Sequence, residues 1–185
     1  MALAEPLTPP ELPARFSLLL PVYAGDTPER LHRAVESNTV EQTRAPADVV
    51  VVQDGPVPPE LDAELERLVR DSPVPVRLVR IPENRGLAHA LRTALPSCSY
   101  DVVARADADD VAYPRRFELQ LPLIEAGADL VGASMHEIGD DEGTPLALRA
   151  APVGAQRILA VSRRRNPISR SVRIAGADSL SESGR

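Results

Sequence analysis

Short apolar segments alternate with amphipathic segments along most of this sequence, and this alternation limits the fold more than any other feature. Between the apolar segments, apolar residues recur at spacings of three and four, as in a helix with one buried face. The predicted strands are residues 16–22, 48–53, 76–81, 101–106 and 129–134. Repeated strand-helix alternation requires parallel strands with helices packed on both faces. The sequence therefore predicts an α/β fold with a Rossmann-like, mostly parallel sheet.

Two of the predicted helices carry clear signals at their ends. The first follows the turn AGDTP, where Asp26 or Thr27 can cap it and Pro28 suits its first turn. The fourth begins near Pro114. Pro122 is expected to kink or end that helix, because proline removes a helix hydrogen bond.

The chain is long enough for one domain with a sizeable core. Its 185 residues are 43% hydrophobic and only 3% aromatic, so aliphatic side chains must fill the core. Prolines concentrated in residues 1–15 predict an extended N-terminal tail. We expect the folded domain to cover residues 16–168 and residues 169–185 to form an irregular C-terminal tail.

Charge and cysteine content exclude several classes of protein. The formal net charge is −6, which argues against nucleic acid as a partner because phosphate binding needs a basic face. The single cysteine, Cys98, excludes an internal disulfide and a cysteine-based metal cluster. No apolar run approaches the roughly 20 residues of a membrane span. We therefore expect a cytoplasmic protein, and the arginines at 163–165 allow peripheral contact with the inner face of the cell membrane.

Three carboxylates follow the fourth predicted strand. Asp107, Asp109 and Asp110 come directly after DVVARA. Negative charges this close repel one another unless a cation or ligand neutralises them. Oxygen ligands favour Mg²⁺ or Mn²⁺ over zinc, and two carboxylates leave most of the metal's coordination to a substrate such as a diphosphate. An acidic turn that caps the next helix is the alternative explanation of the same spacing.

Polar features also follow the first two predicted strands. Pro21, Val22 and Tyr23 end the first strand, and Asp54 with Gly55 ends the second. In sheets of this type, ligands bind beyond the carboxyl ends of the strands. These residues and the acidic cluster are therefore expected to meet in one pocket, with an acceptor for a base N–H, an aromatic wall and a metal site for a diphosphate.

Several motifs occur in a fixed order from about Phe16 to Ile168. They read LLLPVY, VVVQDGP, ENRGLAHAL, VARADADDVAYPRRFELQ, DLVGAS and RRRNPIS. Together they resemble glycosyltransferase family 2, and most of all its members in bacterial polysaccharide biosynthesis. The resemblance implies the GT-A fold and a hexosyltransferase-type activity, in which a sugar passes from a nucleotide-diphosphate sugar to a glycan or lipid-linked acceptor.

The resemblance also implies roles for individual residues. Residues 21–23 and Asp54 match the positions that hold the nucleotide base in this family, and Asn84 and Gly86 match an Asn-x-Gly beside the donor site. Asp107 and Asp109 match the DxD pair that meets the ribose and a Mg²⁺ or Mn²⁺ ion. Of the two, Asp109 matches the more direct metal ligand.

The acceptor side is where this sequence departs from the family. In inverting members the general base is an Asp or Glu that follows the point where this sequence ends, so no catalytic base is assigned here. Glu137 and the acids at 140–142 are interpreted as loop surface. We expect a truncated chain that retains the donor half, and a catalytically inactive nucleotide-sugar-binding remnant is the alternative to an active enzyme. Smaller departures are Gln53 and Arg92, where many members carry Asp and Asn.

Three other functions fit parts of the sequence less well. Asp107 begins a haloacid dehalogenase-like phosphatase motif, but that motif normally lies on an early strand, and the chain has no lysine for the downstream role. A dinucleotide-binding dehydrogenase needs Gly-x-Gly-x-x-Gly after the first strand, where this chain has YAGDTP. A calcium loop needs an oxygen ligand and a glycine where Val111 and Ala112 stand.

Overall fold

The order of elements follows the predicted alternation closely through the first two thirds of the chain. The structure is a computed structural model that describes residues 14–138, 145–163 and 172–174. Its strands are β1 Phe16–Val22, β2 Asp48–Asp54, β3 Val76–Ile81, β4 Val102–Arg105, β5 Leu130–Val131, β6 Met135–Ile138, β7 Pro145–Arg149 and β8 Val172–Ile174. Its α-helices are α1 Pro28–Asn38, α2 Pro59–Asp71, α3 Leu87–Ala94, α4 Arg116–Glu125 and α5 Ala155–Ser162.

Six strands form the main sheet, in the order β3-β2-β1-β4-β8-β5. β1 pairs in parallel with both β2 and β4, and β2 pairs in parallel with β3. β8 is antiparallel to both of its neighbours, and β6 and β7 form a separate antiparallel pair. The predicted α/β fold with a mostly parallel sheet is confirmed.

The core lies on both faces of this sheet, because alternate residues of each strand point in opposite directions. On one face, Leu18, Leu20 and other strand residues pack against α1, α2 and α4. On the opposite face, Leu19 and Val50 pack against Ala90 and further residues of α3. A tilted ring contact adds to the first face, where Phe16 of β1 and Phe117 of α4 have ring centroids 4.7 Å apart.

The helix ends confirm one prediction and correct another. Thr27 caps α1, and its side-chain oxygen accepts the Arg30 backbone N–H at 3.3 Å. α4 begins at Arg116 and continues through Pro122 to Glu125. Pro122 therefore lies inside the helix and does not end it; the helix ends three residues later at Glu125, and the Ala126 N–H bonds the Pro122 carbonyl at 3.0 Å.

The last strand of the sheet corrects the predicted C-terminal boundary. Residues 172–174 form β8, which lies between β4 and β5. An irregular tail from residue 169 is therefore wrong over these three residues, whose Val-Arg-Ile sequence favours a strand. β5 is also shorter than the predicted strand at 129–134. Of the predicted N-terminal tail, only residues 14 and 15 lie within the described part of the chain.

No helix in the described part of the chain combines the length and the apolar character that crossing a membrane requires.

Glu137 is exposed on β6 and pairs with Arg149 of β7, which fits its interpretation as surface. The acids at 140–142 and the arginines at 164 and 165 lie outside the described residues.

Candidate functional site

A cleft of about 500 Å³ opens at the carboxyl ends of β1, β2 and β4. Its wall includes all eight residues to which the family resemblance gives a role, but not Gly55 or Asp110; the eight are Pro21, Val22, Tyr23, Asp54, Asn84, Gly86, Asp107 and Asp109. Their positions in the chain span more than 80 residues, so the parallel sheet brings them together by ending three strands at one edge.

The corner after β2 is built around Asp54, which is buried. Its Oδ1 accepts the Arg85 backbone N–H at 2.9 Å and its Oδ2 accepts the Gly86 N–H at 2.8 Å. Gly55 has a φ of +86°, and a Cβ there would lie 2.6 Å from the Asn84 nitrogen. Only glycine fits this position without displacement. The end of β2 and residues 84–86 therefore form one rigid unit.

Gln53, where the family often has an acid, serves this same corner. Its Nε2 donates to the Gly55 carbonyl at 2.9 Å, and its Oε1 accepts from Arg80. Arg80 also pairs with Asp62 at 2.6 Å, on α2. Gln53 is thus directed into the protein as a support for the turn and not into the cleft.

The acidic turn after β4 presents its two DxD carboxylates differently. The Arg105 guanidinium donates to Oδ1 of Asp107 twice, at 2.6 and 3.0 Å, so half of that carboxylate is engaged by the protein. Asp109 makes no hydrogen bond or ion pair with another residue that the structure describes. Asp109 is therefore the carboxylate of the pair that is available to a ligand.

A third acid, Asp26, lies at the same end of the cleft. Its Oδ2 accepts the Tyr23 backbone N–H at 2.9 Å. Burial raises the pKa of Asp26 above its usual value, and the nearby charges of Asp109 and Asp107 raise it further. The sequence analysis considered Asp26 only as a helix cap. Its position just after β1, in the same turn as Tyr23, could have predicted that it lies in the cleft. Negative charge is therefore concentrated where the DxD pair faces the cleft.

The residues present fit a divalent cation that is shared with a ligand. In the part of the chain that the structure describes, no three His, Cys, Asp or Glu side chains are placed to hold a metal by themselves. Asp109, with Asp107 beside it, offers hard oxygen donors but would leave most coordination positions to other molecules. Mg²⁺ and Mn²⁺ bound with a phosphate ligand have this type of site.

The profile of glycosyl transferase family 2 matches residues 17–173. This chain belongs to that family. The match covers the ends of β1, β2 and β4 that form the cleft, and it ends inside β8. The resemblance seen in the ordered motifs is confirmed.

Curated relatives of this family 2 chain include three bacterial glycosyltransferases. An uncharacterised one from Haemophilus influenzae is 36% identical over 84% of this chain and 58% of its own length. The amylovoran biosynthesis glycosyltransferase AmsE of Erwinia amylovora is 32% identical over 91% of this chain and 62% of its own. The UDP-Gal:alpha-D-GlcNAc-diphosphoundecaprenol beta-1,3-galactosyltransferase of Escherichia coli is 29% identical, with coverages of 84% and 56%. The chain thus spans about three fifths of these relatives.

Solved structures confirm the GT-A fold of this family 2 chain. The mannosyltransferase PcManGT from Pyrobaculum calidifontis, solved with GDP-Man and Mn²⁺, superposes with a TM-score of 0.55 at 26% identity. That superposition covers 67% of this chain and 36% of the mannosyltransferase. S. aureus TarS with UDP-GlcNAc gives a TM-score of 0.56 at 19% identity, over 71% of this chain and 37% of TarS, and supports the fold alone.

Proposed function

We propose that the cleft binds a nucleotide-diphosphate sugar and that the protein transfers its sugar to a glycan or lipid-linked saccharide. The convergence of all eight predicted residues on one cleft carries this proposal. Residues 21–23 and Asp54 would hold the nucleotide base, with Asn84 and Gly86 beside it. The acids that follow β4 would face the ribose and the diphosphate.

Asp54 can hold a base although its carboxylate is already engaged. Each of its oxygens accepts one backbone N–H, and a carboxylate oxygen has a second acceptor position. The two backbone bonds fix the direction of the remaining lone pairs. Asp54 would therefore accept a base N–H in a preset orientation, while the half-exposed ring of Tyr23 forms the neighbouring wall.

Asp109 would be the main ligand of Mg²⁺ or Mn²⁺, with Asp107 assisting through the carboxylate oxygen that Arg105 leaves open. A divalent ion at this position, when bound, stabilises negative charge on the departing nucleoside diphosphate. Asp26 adds negative potential nearby; burial is the main cause of its raised pKa, and the charges of Asp109 and Asp107 raise that pKa further. The Mn²⁺ in the mannosyltransferase structure, at 26% identity, supports the choice of metal.

The alternative is a nucleotide-sugar-binding protein without catalysis. Four acids line the cleft: Asp54, Asp107 and Asp109 are assigned to the donor or the metal, and Asp26 accepts the Tyr23 backbone N–H. Among the residues that the structure describes, the cleft thus offers no further acid as a general base.

A lipid-linked acceptor would favour contact with the membrane, to which the exposed Arg163 after α5 would contribute positive charge.

Release of nucleoside diphosphate from a panel of nucleotide sugars tests the proposal. With Mn²⁺ or Mg²⁺, we expect slow release from one donor, with water as acceptor, and at least a tenfold loss in Asp109→Asn. Asp71→Asn is the matched control, because Asp71 is exposed on α2, away from the cleft, and forms an ion pair with Arg70. Tight binding without release would favour the binding protein. Unchanged release in Asp109→Asn would show that the metal assignment is wrong.

A further inference from the structure

The turn between β1 and α1 brings the side chain of Tyr23 back onto its own backbone. The outer end of the Tyr23 ring lies against Gly25, and both residues line the cleft. A Cβ added at Gly25 would be 2.5 Å from each of three ring atoms, Cε2, Cζ and Oη. Ordinary contacts with a Cβ begin at 3.4 Å, so only glycine allows the ring to lie here.

The backbone of this turn is held by hydrogen bonds between its two ends. The Tyr23 N–H donates to Asp26 Oδ2 at 2.9 Å, and the Asp26 N–H donates to the Tyr23 carbonyl at 3.1 Å. Thr27 then caps α1, so the turn continues directly into the helix. Because the Tyr23 backbone is fixed in this way, the position of the ring depends on its side-chain rotamer and on the surface against which it packs.

The need for glycine at residue 25 comes from the ring and not from the backbone. Gly25 is not among the described glycines with a left-handed φ, which are Gly55, Gly86, Gly127 and Gly154. The backbone at residue 25 therefore accepts alanine without strain. A change of affinity in Gly25→Ala would thus report the contact with Tyr23.

The rest of the Tyr23 ring is open to a ligand. Tyr23 is 52% exposed and lines the cleft together with Asp54. Base–aromatic stacking contributes about 1–3 kcal/mol per base in nucleic-acid complexes. A ring that is already in place before binding provides this contact without the cost of ordering a mobile side chain.

We propose that Gly25 is a positioning residue of the nucleotide site, because it lets the Tyr23 ring lie on the turn and so fixes the wall against which the base would stack. This inference rests on the proposed function, in which residues 21–23 hold the base. A side chain at residue 25 would displace the ring by about 1 Å, whereas binding groups must be held within about 0.5 Å of their working geometry. Gly25 would therefore act on base affinity through Tyr23 and not through the acids that follow β4.

The test is a double-mutant cycle read by calorimetry with Mg²⁺. The ligands are inorganic diphosphate and the nucleoside diphosphate that the original chain binds most tightly among those of uridine, guanosine, adenosine, cytidine and thymidine. We expect Gly25→Ala to weaken nucleoside diphosphate binding at least fivefold and inorganic diphosphate binding less than twofold. In the Tyr23→Ala background, Gly25→Ala should change nucleotide affinity less than twofold. In Tyr23→Phe the fivefold loss should persist, because Cε2 and Cζ still meet the new Cβ.

NMR of the aromatic rings provides a second readout, because the chain contains only three tyrosines. The Tyr23 ring signals are those that disappear in Tyr23→Ala. The other two rings are held elsewhere: the Tyr113 hydroxyl is 2.9 Å from His136 Nδ1, and the Arg15 guanidinium lies over the Tyr100 ring. Gly25→Ala should shift the Tyr23 signals and leave those of Tyr100 and Tyr113 unchanged.

The outcomes separate this inference from the proposed function. A loss of nucleotide affinity that disappears in Tyr23→Ala, with a shift of the Tyr23 ring signals, supports Gly25 as a positioning residue. Nucleotide affinity that Gly25→Ala leaves unchanged, or lowers equally with and without the Tyr23 ring, overturns the inference while the proposed function stands. An equal loss for inorganic diphosphate also overturns it, since the defect would then lie at the metal end of the cleft. Absence of nucleotide binding by the original chain overturns the proposed function, and the inference falls with it.

Discussion

The two edges of the main sheet use polar residues in opposite ways. At the amino-terminal edge, Ser17 Oγ accepts the backbone N–H groups of Ser99 and Tyr100 at 3.1 and 3.3 Å. Ser99 in turn donates to Asp48 Oδ2 at 2.6 Å. These bonds tie the starts of β1 and β2 to the segment that enters β4, and they face the protein itself.

At the carboxyl-terminal edge, the protein satisfies only part of the polar groups. Asp54 and Asp107 accept hydrogen bonds from the protein. Asp109 and the nearby Asp26 add negative charge to the cleft. The amino-terminal edge thus holds the strands together, and the carboxyl-terminal edge is shaped to receive a ligand. Substitutions at the amino-terminal edge should therefore change stability alone. Substitutions at the carboxyl-terminal edge should also change ligand binding.

The largest stability effect is expected at the glycine corner of the ligand edge. Gly55→Ala should lower the free energy of unfolding by about 2–4 kcal/mol, because it combines a left-handed φ with a Cβ contact of 2.6 Å to backbone. It should also weaken nucleotide binding. Gly86→Ala is the control, since its φ is +84° but its Cβ would meet nothing within 4 Å. Urea unfolding that shows equal losses for the two variants would contradict the close approach at Gly55.

A smaller effect, confined to stability, is expected at the opposite edge. Ser17→Ala removes the fully buried hydroxyl that accepts the backbone N–H groups of Ser99 and Tyr100. The free energy of unfolding should fall by about 1–3 kcal/mol. Calorimetric nucleotide affinity, measured where the variant is fully folded, should stay within twofold of the original chain. A tenfold loss of affinity would break the proposed division between the edges.

The smallest effect is expected from Asp26→Asn, and its sign is opposite. Since the pKa of Asp26 is raised in the folded state, that state binds more protons than the unfolded chain as pH rises from 3.8. Stability is then lost as pH rises through the raised pKa. Asp26→Asn keeps an oxygen that can accept the Tyr23 N–H, and it removes the loss of stability that comes from ionising Asp26. Without metal at neutral pH, the melting temperature of Asp26→Asn should lie above that of the original chain, by less than the decrease in Ser17→Ala. A lower melting temperature would contradict the concentration of negative charge around Asp26, Asp107 and Asp109.

The sequence predicted the parts of the molecule that depend on periodicity and strand ends. β1, β2 and β3 and the helices between them follow from apolar patterns, and the rule for parallel sheets placed Asp54 and Asp109 at one edge. This worked because side chains at strand ends are positioned mainly by the backbone.

Features that depend on contacts between distant segments could not be predicted. The sequence shows neither that Arg105 occupies one oxygen of Asp107 nor that Tyr113 meets His136. β8 was missed because three residues carry too little pattern, and it is the pairing with β4 and β5 that stabilises it. α4 continues through Pro122 because tertiary packing of Leu121 and Ile124 outweighs the local cost of proline.

Thermal unfolding with Mn²⁺ and each nucleoside diphosphate, for the original chain, Asp109→Asn and Asp48→Asn, tests the account most directly. Ligand at a hundred times its dissociation constant should add about 2.7 kcal/mol, or roughly 5–10 °C for a domain of this size. We predict this shift for one nucleotide, only with metal, and its loss in Asp109→Asn. Asp48→Asn, at the other edge, should keep it. An equal metal-dependent shift in Asp109→Asn, or no shift from the cooperatively folded chain, would contradict the assignment of the carboxyl-terminal edge to a metal-bound nucleotide.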